Sequence, residues 1–244
     1  MKSIKAIIKK ELFGYFYSPV AYVFLIIFQV AATGTTFFLG DFFRTNQAGL
    51  EIFFLFHPWL YMFLIPAIGM RLWAEEKQSG TIELLFTMPI QIGEAVVGKF
   101  IAGWIFIGIA LSLTFPIVFT VWYLGNPDNG VIFASYVGSF FMAGAFLSIS
   151  CVTSAMTRNQ VISFILSVII CLIAVLLGWG VFTSALSKIF SASIAEFISN
   201  LSFTYHFNSI SRGIIDSRDV FYFLSVIIGA LGINTVILDS RKSL

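Results

Sequence analysis

Charged side chains are scarce in this sequence. Asp, Glu, Lys and Arg make up 11% of its 244 residues, whereas soluble domains carry about 25%. Hydrophobic residues account for 59%, and the mean hydropathy is +0.96. So few charges cannot cover a polar surface, and the composition therefore excludes a soluble globular domain and indicates a bilayer environment. The basic residues are scattered and the formal net charge is +2, which gives no nucleic-acid-binding surface.

Charge is missing altogether from six long apolar segments. Each approaches the 20 or so apolar residues that a spanning helix needs, and none shows the period-two alternation of a strand. The sequence therefore predicts an all-α membrane protein with six transmembrane helices, formed by one transmembrane domain over residues 1–244. The predicted spans cover about residues 20–39, 52–70, 100–124, 131–155, 161–183 and 220–238.

Cysteine is rare as well, and both cysteines fall inside apolar segments, Cys151 in the fourth and Cys171 in the fifth. Their predicted depths differ by about 10 Å, which disfavours a disulfide and favours packing thiols. Small residues recur in the fourth segment at Ser135, Ser139 and Ala143. This four-residue spacing allows close helix packing, either inside the chain or as a dimer seam.

The placement of Lys and Arg predicts the orientation. With the N-terminus in the cytoplasm, ten of the 14 basic residues lie on the inner side and four on the outer side. Cytoplasmic segments of membrane proteins are enriched in Lys and Arg. Both termini are therefore expected in the cytoplasm.

Residues 2–18 have the pattern of an amphipathic helix. Ile4, Ile7, Ile8, Leu12 and Tyr15 recur at helical spacing on one side, and the other side carries Lys2, Lys5 and Lys9. Pro19 then separates this helix from the first span. Such a helix is expected to lie in the inner interface among anionic headgroups. It acts either as a topology anchor or as a lever between a cytoplasmic partner and the first span.

The most informative connection is the charged segment between the second and third spans. The second span is expected to continue as one helix to about Gln78, where Gly80 ends it through a positive φ. Thr81 then caps a second helix, which has Glu83 in its first turn and ends at Pro89. Its apolar face consists of Ile82, Leu85 and Phe86.

A helix of two turns is unstable alone, so its apolar face must be covered. The candidates are lipid, the rest of this chain, or the groove of a partner protein. We favour the partner groove over a passive interfacial loop, because the segment combines an acidic shoulder with an apolar surface.

Residues 93–99 match the spacing of a phosphate-binding loop, but Phe100 stands where Ser or Thr is required for Mg²⁺. No strand precedes this segment and a span follows it, so we expect no ATP binding here. His57 lacks neighbouring Cys, Asp or His residues that would make it a metal ligand, and a hydrogen bond to a neighbouring helix is expected instead. No constellation of catalytic residues occurs in the spans, and the chain is not expected to be an enzyme.

The outer connection, residues 184–219, is apolar at helical spacing from Leu186 to Leu201, and a second short helix is expected over Phe207–Ile215. Both are too short to span, which predicts a non-spanning outer helical pair. Backbone at membrane depth must be buried by protein or face an aqueous cavity. The pair is therefore either a cap or exit gate, or an interfacial hairpin without a gating role.

This layout resembles the type-2 ABC transporter permeases, and the resemblance covers essentially the whole chain. A narrower resemblance, to the gliding-motility permease branch, rests on Ser18-Pro19 and on residues 211–219. The residues that carry the family resemblance are Glu75-Glu76, Gly80-Thr81-Ile82-Glu83-Leu84-Leu85, Met88-Pro89 and Gly98-Lys99-Phe100.

The resemblance implies roles for two of these segments. The N-terminal helix would be the elbow helix, with Lys2, Lys5 and Lys9 at the interface. Residues 75–89, the coupling segment, would form a cytoplasmic coupling helix in a cleft of a separate ABC ATPase subunit. The implied ATPase-coupling residues are Glu75, Glu76, Lys77, Gly80, Thr81, Ile82, Glu83, Leu84, Leu85, Phe86 and Pro89.

The resemblance also implies a function: the membrane-spanning permease subunit of an exporter in the bacterial cytoplasmic (inner) membrane, working by alternating access. Two ATPase copies and a second permease copy or a related membrane subunit are expected. ATP and Mg would be bound by the ATPase, so no cofactor is expected in this chain. The alternative is an ion-coupled secondary transporter or channel subunit without an ATPase, and the absence of ionisable residues in the spans disfavours it.

Overall fold

The structure is a computed structural model, and it describes residues 2–40, 42–44, 49–87, 90–189 and 192–242. Within these ranges the regular elements are helical and none is a strand, which confirms the all-α prediction. A π-helical turn, Thr35–Leu39, extends the second helix. The α-helices are α1 (Lys2–Tyr17), α2 (Pro19–Gly34), α3 (Glu51–Leu55), α4 (His57–Gly69), α5 (Arg71–Ser79), α6 (Thr81–Thr87), α7 (Ile92–Ser112), α8 (Pro116–Leu124), α9 (Asn129–Met156), α10 (Gln160–Leu176), α11 (Gly180–Ile189), α12 (Ala192–Ser199), α13 (Phe203–Ile210) and α14 (Ser217–Lys242).

Four helical stretches in the described part of the chain are long and apolar enough to cross a bilayer. They are Pro19–Leu39, Ile92–Leu124, Asn129–Met156 and Ser217–Ser240. Helix α10 is apolar too, but its 17 residues extend about 25 Å, less than the hydrocarbon core of about 30 Å. Four predicted spans therefore meet the length requirement, and the count of six stays a prediction.

The second predicted span, residues 52–70, is not one helix. Helix α3 ends at Leu55, and α4 begins at His57 with Pro58 as its second residue. Proline suits the first turn of a helix, since no intrahelical hydrogen bond needs its missing N–H there. The expected continuation of this span to Gln78 is also interrupted, because α4 ends at Gly69 and α5 begins at Arg71.

The third predicted span, residues 100–124, differs at its start and in its middle. Helix α7 begins eight positions earlier, at Ile92, and includes the charged residues Glu94 and Lys99. The helix then stops at Ser112, and α8 starts at Pro116. A proline inside a helix removes a backbone donor and clashes with the preceding turn, which accounts for the interruption.

The described residues of the outer connection are helical on both sides of residues 190 and 191, and the expected number of outer helices stays a prediction. The fifth predicted span, residues 161–183, ends as α10 at Leu176, and α11 begins at Gly180 inside that range. Helix α12 follows, with residues 190 and 191 outside the described ranges. The second predicted outer helix lies earlier than expected, as α13, because a turn at residues 211–213 replaces its last residues. Helices α11 and α12 contact each other, whereas α13 packs on α9, α10 and α14.

Helix α9 is the centre of the bundle and packs against α4, α5, α7, α10, α13 and α14. Its small residues Ser135, Ser139 and Ala143 are buried within the chain, and the Ser139 hydroxyl lies 2.6 Å from the Tyr61 hydroxyl of α4. These small residues therefore pack against other helices of the same chain. Both cysteines are buried free thiols, as expected.

Helix α1 packs along α7. The Tyr15 ring stacks on Phe106 of α7 with 5.1 Å between the ring centroids, while Lys5 and Lys9 are exposed. The side chain of Lys2 lies outside the described residues. At the end of α1, the Ser18 side chain accepts the Val20 N–H and α2 begins at Pro19, so the predicted break before the first span is present.

Candidate functional site

The coupling segment spans the end of α5 and all of α6. Gly80 ends α5 with φ 75°, the left-handed conformation that favours glycine at helix ends. Helix α6 then begins at Thr81 and carries Glu83 in its first turn, where a negative charge complements the helix dipole. Met88, Pro89 and the side chains of Leu84, Leu85 and Phe86 lie outside the described residues.

A serine from α9 occupies the interruption between α4 and α5. The Ser154 hydroxyl accepts the backbone N–H groups of Trp73 and Ala74, both at 3.0 Å, and donates to the Met70 carbonyl at 2.9 Å. One side chain thus satisfies backbone groups that a continuous helix would satisfy itself. Helix α5 is consequently attached to α9 at its first turn.

Gly69 makes this approach possible. A Cβ atom at this position would lie 2.2 Å from the Cβ of Ser150, one turn before Ser154 on α9. Because carbon atoms in contact are about 3.5–4.0 Å apart, only glycine allows α4 and α9 to come this close without a shift.

Lys99 connects three helices through a buried ion network. The side chain belongs to α7 and is 3% exposed, yet its Nζ lies 2.7 Å from Glu76 Oε1 of α5 and 3.2 Å from Glu11 Oε1 of α1. The same Nζ is 5.1 Å from the centre of the Trp73 ring, within range of a cation–π interaction. A buried cation needs such partners, so α1, α5 and α7 are held together at this point.

A second ion pair lies on the more exposed side of α5. Arg71 donates from Nε to Glu75 Oε2 at 2.8 Å and from Nη2 to Glu75 Oε1 at 3.2 Å, the bidentate geometry that arginine favours with carboxylates. This hydrogen bond lowers the pKa of Glu75 and raises the pKa of Arg71. Further along α5, Lys77 donates to the Ala155 carbonyl near the end of α9.

The predicted coupling residues therefore divide into two groups. Glu75, Glu76 and Lys77 make contacts inside the chain, and their predicted contact with an ATPase stays a prediction. Gly80, Thr81 and Glu83 are exposed, and Ile82 is half-buried against the core.

Sequence reasoning did not identify the roles of Glu11, Lys99 and Ser154. Their network partners are far apart in the chain, with Lys99 88 positions from Glu11 and 23 from Glu76. One signal was present: Glu11 lies four residues after Ile7, on the apolar side of α1. An acidic residue on an apolar face predicts a buried cationic partner. Nothing comparable marks Ser154.

His57, at the other end of α4, contacts α3, and its ring also packs against Phe28 of α2 with 6.2 Å between the ring centroids. Its Nδ1 lies 2.9 Å from the Phe53 carbonyl oxygen, and the rings of Phe53 and Phe54 pack against the imidazole at 4.5 and 5.0 Å between centroids. The described part of the chain holds no group of three or more His, Cys, Asp or Glu residues placed to bind a metal ion.

A second polar cluster, also missed by sequence reasoning, joins α13 to α14. His206 Nδ1 lies 2.6 Å from Asp219 Oδ1 and Nε2 lies 2.8 Å from the Asn200 carbonyl oxygen. Both partners are acceptors, so each ring nitrogen of His206 lies within hydrogen-bonding distance of an oxygen atom. The ring also stacks on Tyr222 with 3.8 Å between centroids.

Replacing His206 by phenylalanine is expected to loosen α13. The substitution keeps a ring on Tyr222 but leaves the buried Asp219 carboxylate without its donor, which costs about 1–3 kcal/mol. Hydrogen exchange over residues 203–210 should become faster, and Asn208→Ala, an exposed position on the same helix, should leave it unchanged. Unaltered exchange in His206→Phe would contradict the assigned hydrogen bonds.

Comparison with known families agrees with this architecture. A family model described as ABC-2 family transporter protein matches residues 6–238, nearly the whole chain. The chain belongs to the ABC-2 family. The resemblance to type-2 ABC permeases is thus confirmed, and no curated protein matches the chain.

Membership of the ABC-2 family identifies the chain as a permease subunit of an ABC transporter and a multi-pass membrane protein. Membrane proteins of this family are transport subunits that work with ABC ATPase partners. The assignment to the gliding-motility branch stays a prediction.

Proposed function

We propose that this ABC-2 permease exports its substrate across the bacterial cytoplasmic membrane, driven by a separate ATPase subunit that docks on α6. The whole chain acts as one transmembrane domain with both termini in the cytoplasm. Two copies of the permease, or one copy with a related membrane subunit, face each other, and each carries one ATPase. ATP and Mg are bound by the ATPase.

The observation that supports the proposal is the contrast between α5 and α6. Three buried residues of α5, Leu72, Trp73 and Ala74, hold it inside the bundle, whereas Thr81 and Glu83 at the start of α6 are exposed. A single residue, Gly80, separates α5 from α6. A partner that displaces α6 would therefore also displace α5 and, through α5, the bundle.

Two attachments connect α5 to the rest of the bundle. Ser154 connects α5 to α9, and Lys99 connects Glu76 of α5 to Glu11 of α1. A displacement of α5 is thus shared by the central helix of the bundle and by the N-terminal helix. In this arrangement α1 is the lever, and closure of the ATPase pair moves α1, α7 and α9 together between inward and outward access.

The proposal is tested by replacing Leu85 with aspartate. This residue belongs to the apolar face that the sequence predicts for α6, and a charge there opposes burial in an apolar groove. We expect the variant to insert in the membrane but to lose the ABC ATPase encoded with it on co-purification from detergent. Tyr123→Asp, at an exposed residue at the end of α8, is the matched control and should retain the ATPase.

Two results would count against the proposal. Retention of the ATPase by Leu85→Asp would remove α6 from the docking site. Transport by ATPase-free liposomes under a proton or sodium gradient would favour the alternative of an ion-coupled secondary transporter or channel subunit.

A further inference from the structure

A cavity of about 510 Å³ opens between α1, α2, α4, α5 and α7, a size typical of ligand pockets. Its two ends differ in chemistry. The apolar end is lined by Val23, Phe24 and Ile27 of α2 and by Leu64 and Ile68 of α4. The polar end is lined by Lys10, Glu11, Arg71, Glu75, Glu76 and Lys99.

The apolar end lies on a span and is open to the side. Helix α2 belongs to the stretch Pro19–Leu39 that is suited to cross the bilayer, and Val23 and Ile27 are 53% and 47% exposed. Exposed apolar side chains on a helix suited to cross the bilayer are compatible with a lipid-facing side. A molecule with an apolar chain can therefore enter from the side of α2 and cover these side chains. A purely polar solute would not cover them, so their contact with water would remain unfavourable.

The polar end carries charges of both signs that cancel. Lys10, Arg71 and Lys99 oppose Glu11, Glu75 and Glu76, and so the formal charge of the lining is zero. Such a lining gives no long-range preference for an anion or a cation. This lining complements a zwitterionic group, in which a positive and a negative charge lie a short distance apart.

Two groups at the polar end have unused hydrogen-bonding capacity. Glu76 Oε2 is buried without a donor among the described residues, an unfavourable state that an N–H group would relieve. Arg71 binds Glu75 through Nε and Nη2, and its planar fork still presents the N–H groups of Nη1, which suit a phosphate. The occupant should thus supply an N–H donor and a phosphate.

We propose that this cavity binds a zwitterionic phospholipid with a primary ammonium headgroup. The phosphate lies against Arg71, the ammonium against the Glu75 and Glu76 carboxylates, and an acyl chain along Val23, Ile27 and Leu64. Ser79 and Thr81 also line the cavity next to α6, but lipid binding itself requires no ATPase. It borders the Glu76–Lys99–Glu11 network, so that a bound lipid adds to the contacts holding α5 against α1 and α7.

The test uses the purified full-length chain without any ATPase, so its outcome is independent of the proposed function. Native mass spectrometry measures the lipid retained from micelles containing phosphatidylethanolamine, phosphatidylcholine or phosphatidylglycerol with identical acyl chains. We expect phosphatidylethanolamine to be retained about tenfold better than phosphatidylcholine, whose ammonium has no N–H to donate. Phosphatidylglycerol should also bind less well. Equal retention of all three lipids would overturn the proposal.

Variants separate the two ends of the cavity. Arg71→Gln combined with Glu75→Gln keeps the side-chain volumes and is expected to abolish the preference for the ethanolamine headgroup. Val23→Trp fills the apolar end and should lower the retention of every lipid about tenfold. The matched control is Val30→Trp, which lies two helical turns further on the same side of α2, is 64% exposed and does not line the cavity.

Three outcomes would reassign the site. If Val30→Trp lowers retention as much as Val23→Trp, the bound lipid is general surface lipid and the cavity is not its site. If glycerophosphoethanolamine competes as well as the intact lipid, the occupant is a water-soluble compound. If cysteines at position 23 of two copies cross-link efficiently, the open side faces a second copy of the chain.

Discussion

Replacing Lys99 by methionine is expected to lower the free energy of unfolding by about 3–5 kcal/mol. The substitution keeps an unbranched side chain in the buried space but removes the cation from Glu11 and Glu76, whose carboxylates are then left without their partner. The thermal transition of the purified permease should shift to lower temperature. ATP-driven transport should decrease as well, because α5 is no longer connected to α1.

A triple variant distinguishes the loss of an ion network from the loss of packing. Glu11→Gln and Glu76→Gln, added to Lys99→Met, remove the unpaired charges, and most of the lost stability should return, since uncharged replacements of buried ion networks are often tolerated. Transport should not return to the same extent. Lys5→Met, at an exposed lysine on α1, is the control and should have little effect. A triple variant as unstable as Lys99→Met would show that packing, not charge, explains the loss.

Replacing Gly69 by alanine is expected to destabilise the packing of α4 on α9. The added methyl group would lie 2.2 Å from Ser150 Cβ, so α4 and α9 must separate, and overpacking of this kind costs about 1–3 kcal/mol. Separation also draws Ser154 away from Met70, Trp73 and Ala74. Thermal unfolding measures the first effect, and faster hydrogen exchange at the Trp73 and Ala74 amides measures the second.

A compensating substitution tests the same contact. Ser150→Gly removes the atom that the new methyl group would meet, so the double variant should be more stable than the sum of the two single changes predicts. Gly34→Ala is the matched control, because no atom lies within 4 Å of a Cβ built there. Strict additivity of Gly69→Ala and Ser150→Gly would contradict the close approach of α4 and α9.

The helical class and the approximate positions of α2, α9 and α14 follow from local properties of the sequence. The length of the apolar segments predicted the stretches around α2, α9 and α14, and Gly80 predicted the end of α5. Each of these features lies in the same part of the sequence as the helix that it predicts. The interruption before α8 could also have been predicted, because Pro116 lies inside the third apolar segment. Apolar length alone gave no reason to divide that segment.

The internal attachments of α5 could not be predicted in the same way. Ser154 is 81 positions from Trp73, and a serine in an apolar segment is equally compatible with bonding its own helix. The burial of Lys99 depends on Glu11 and Glu76 arriving from two other helices, so its neighbours in the chain carry no information about it. Long-range pairing of polar groups thus helps to place α5 in the bundle, and neither composition nor periodicity contains information about such pairing.

The hydroxyl of Ser154 gives the junction between α4 and α5 a property that an unbroken helix lacks. When α5 swings relative to α4, the Trp73 and Ala74 amides can exchange a side-chain acceptor for a carbonyl of their own helix, so the number of hydrogen bonds need not change. Hydrogen bonds that are exchanged rather than lost contribute little to a barrier. The junction is therefore suited to act as a hinge at which α5 turns relative to α4.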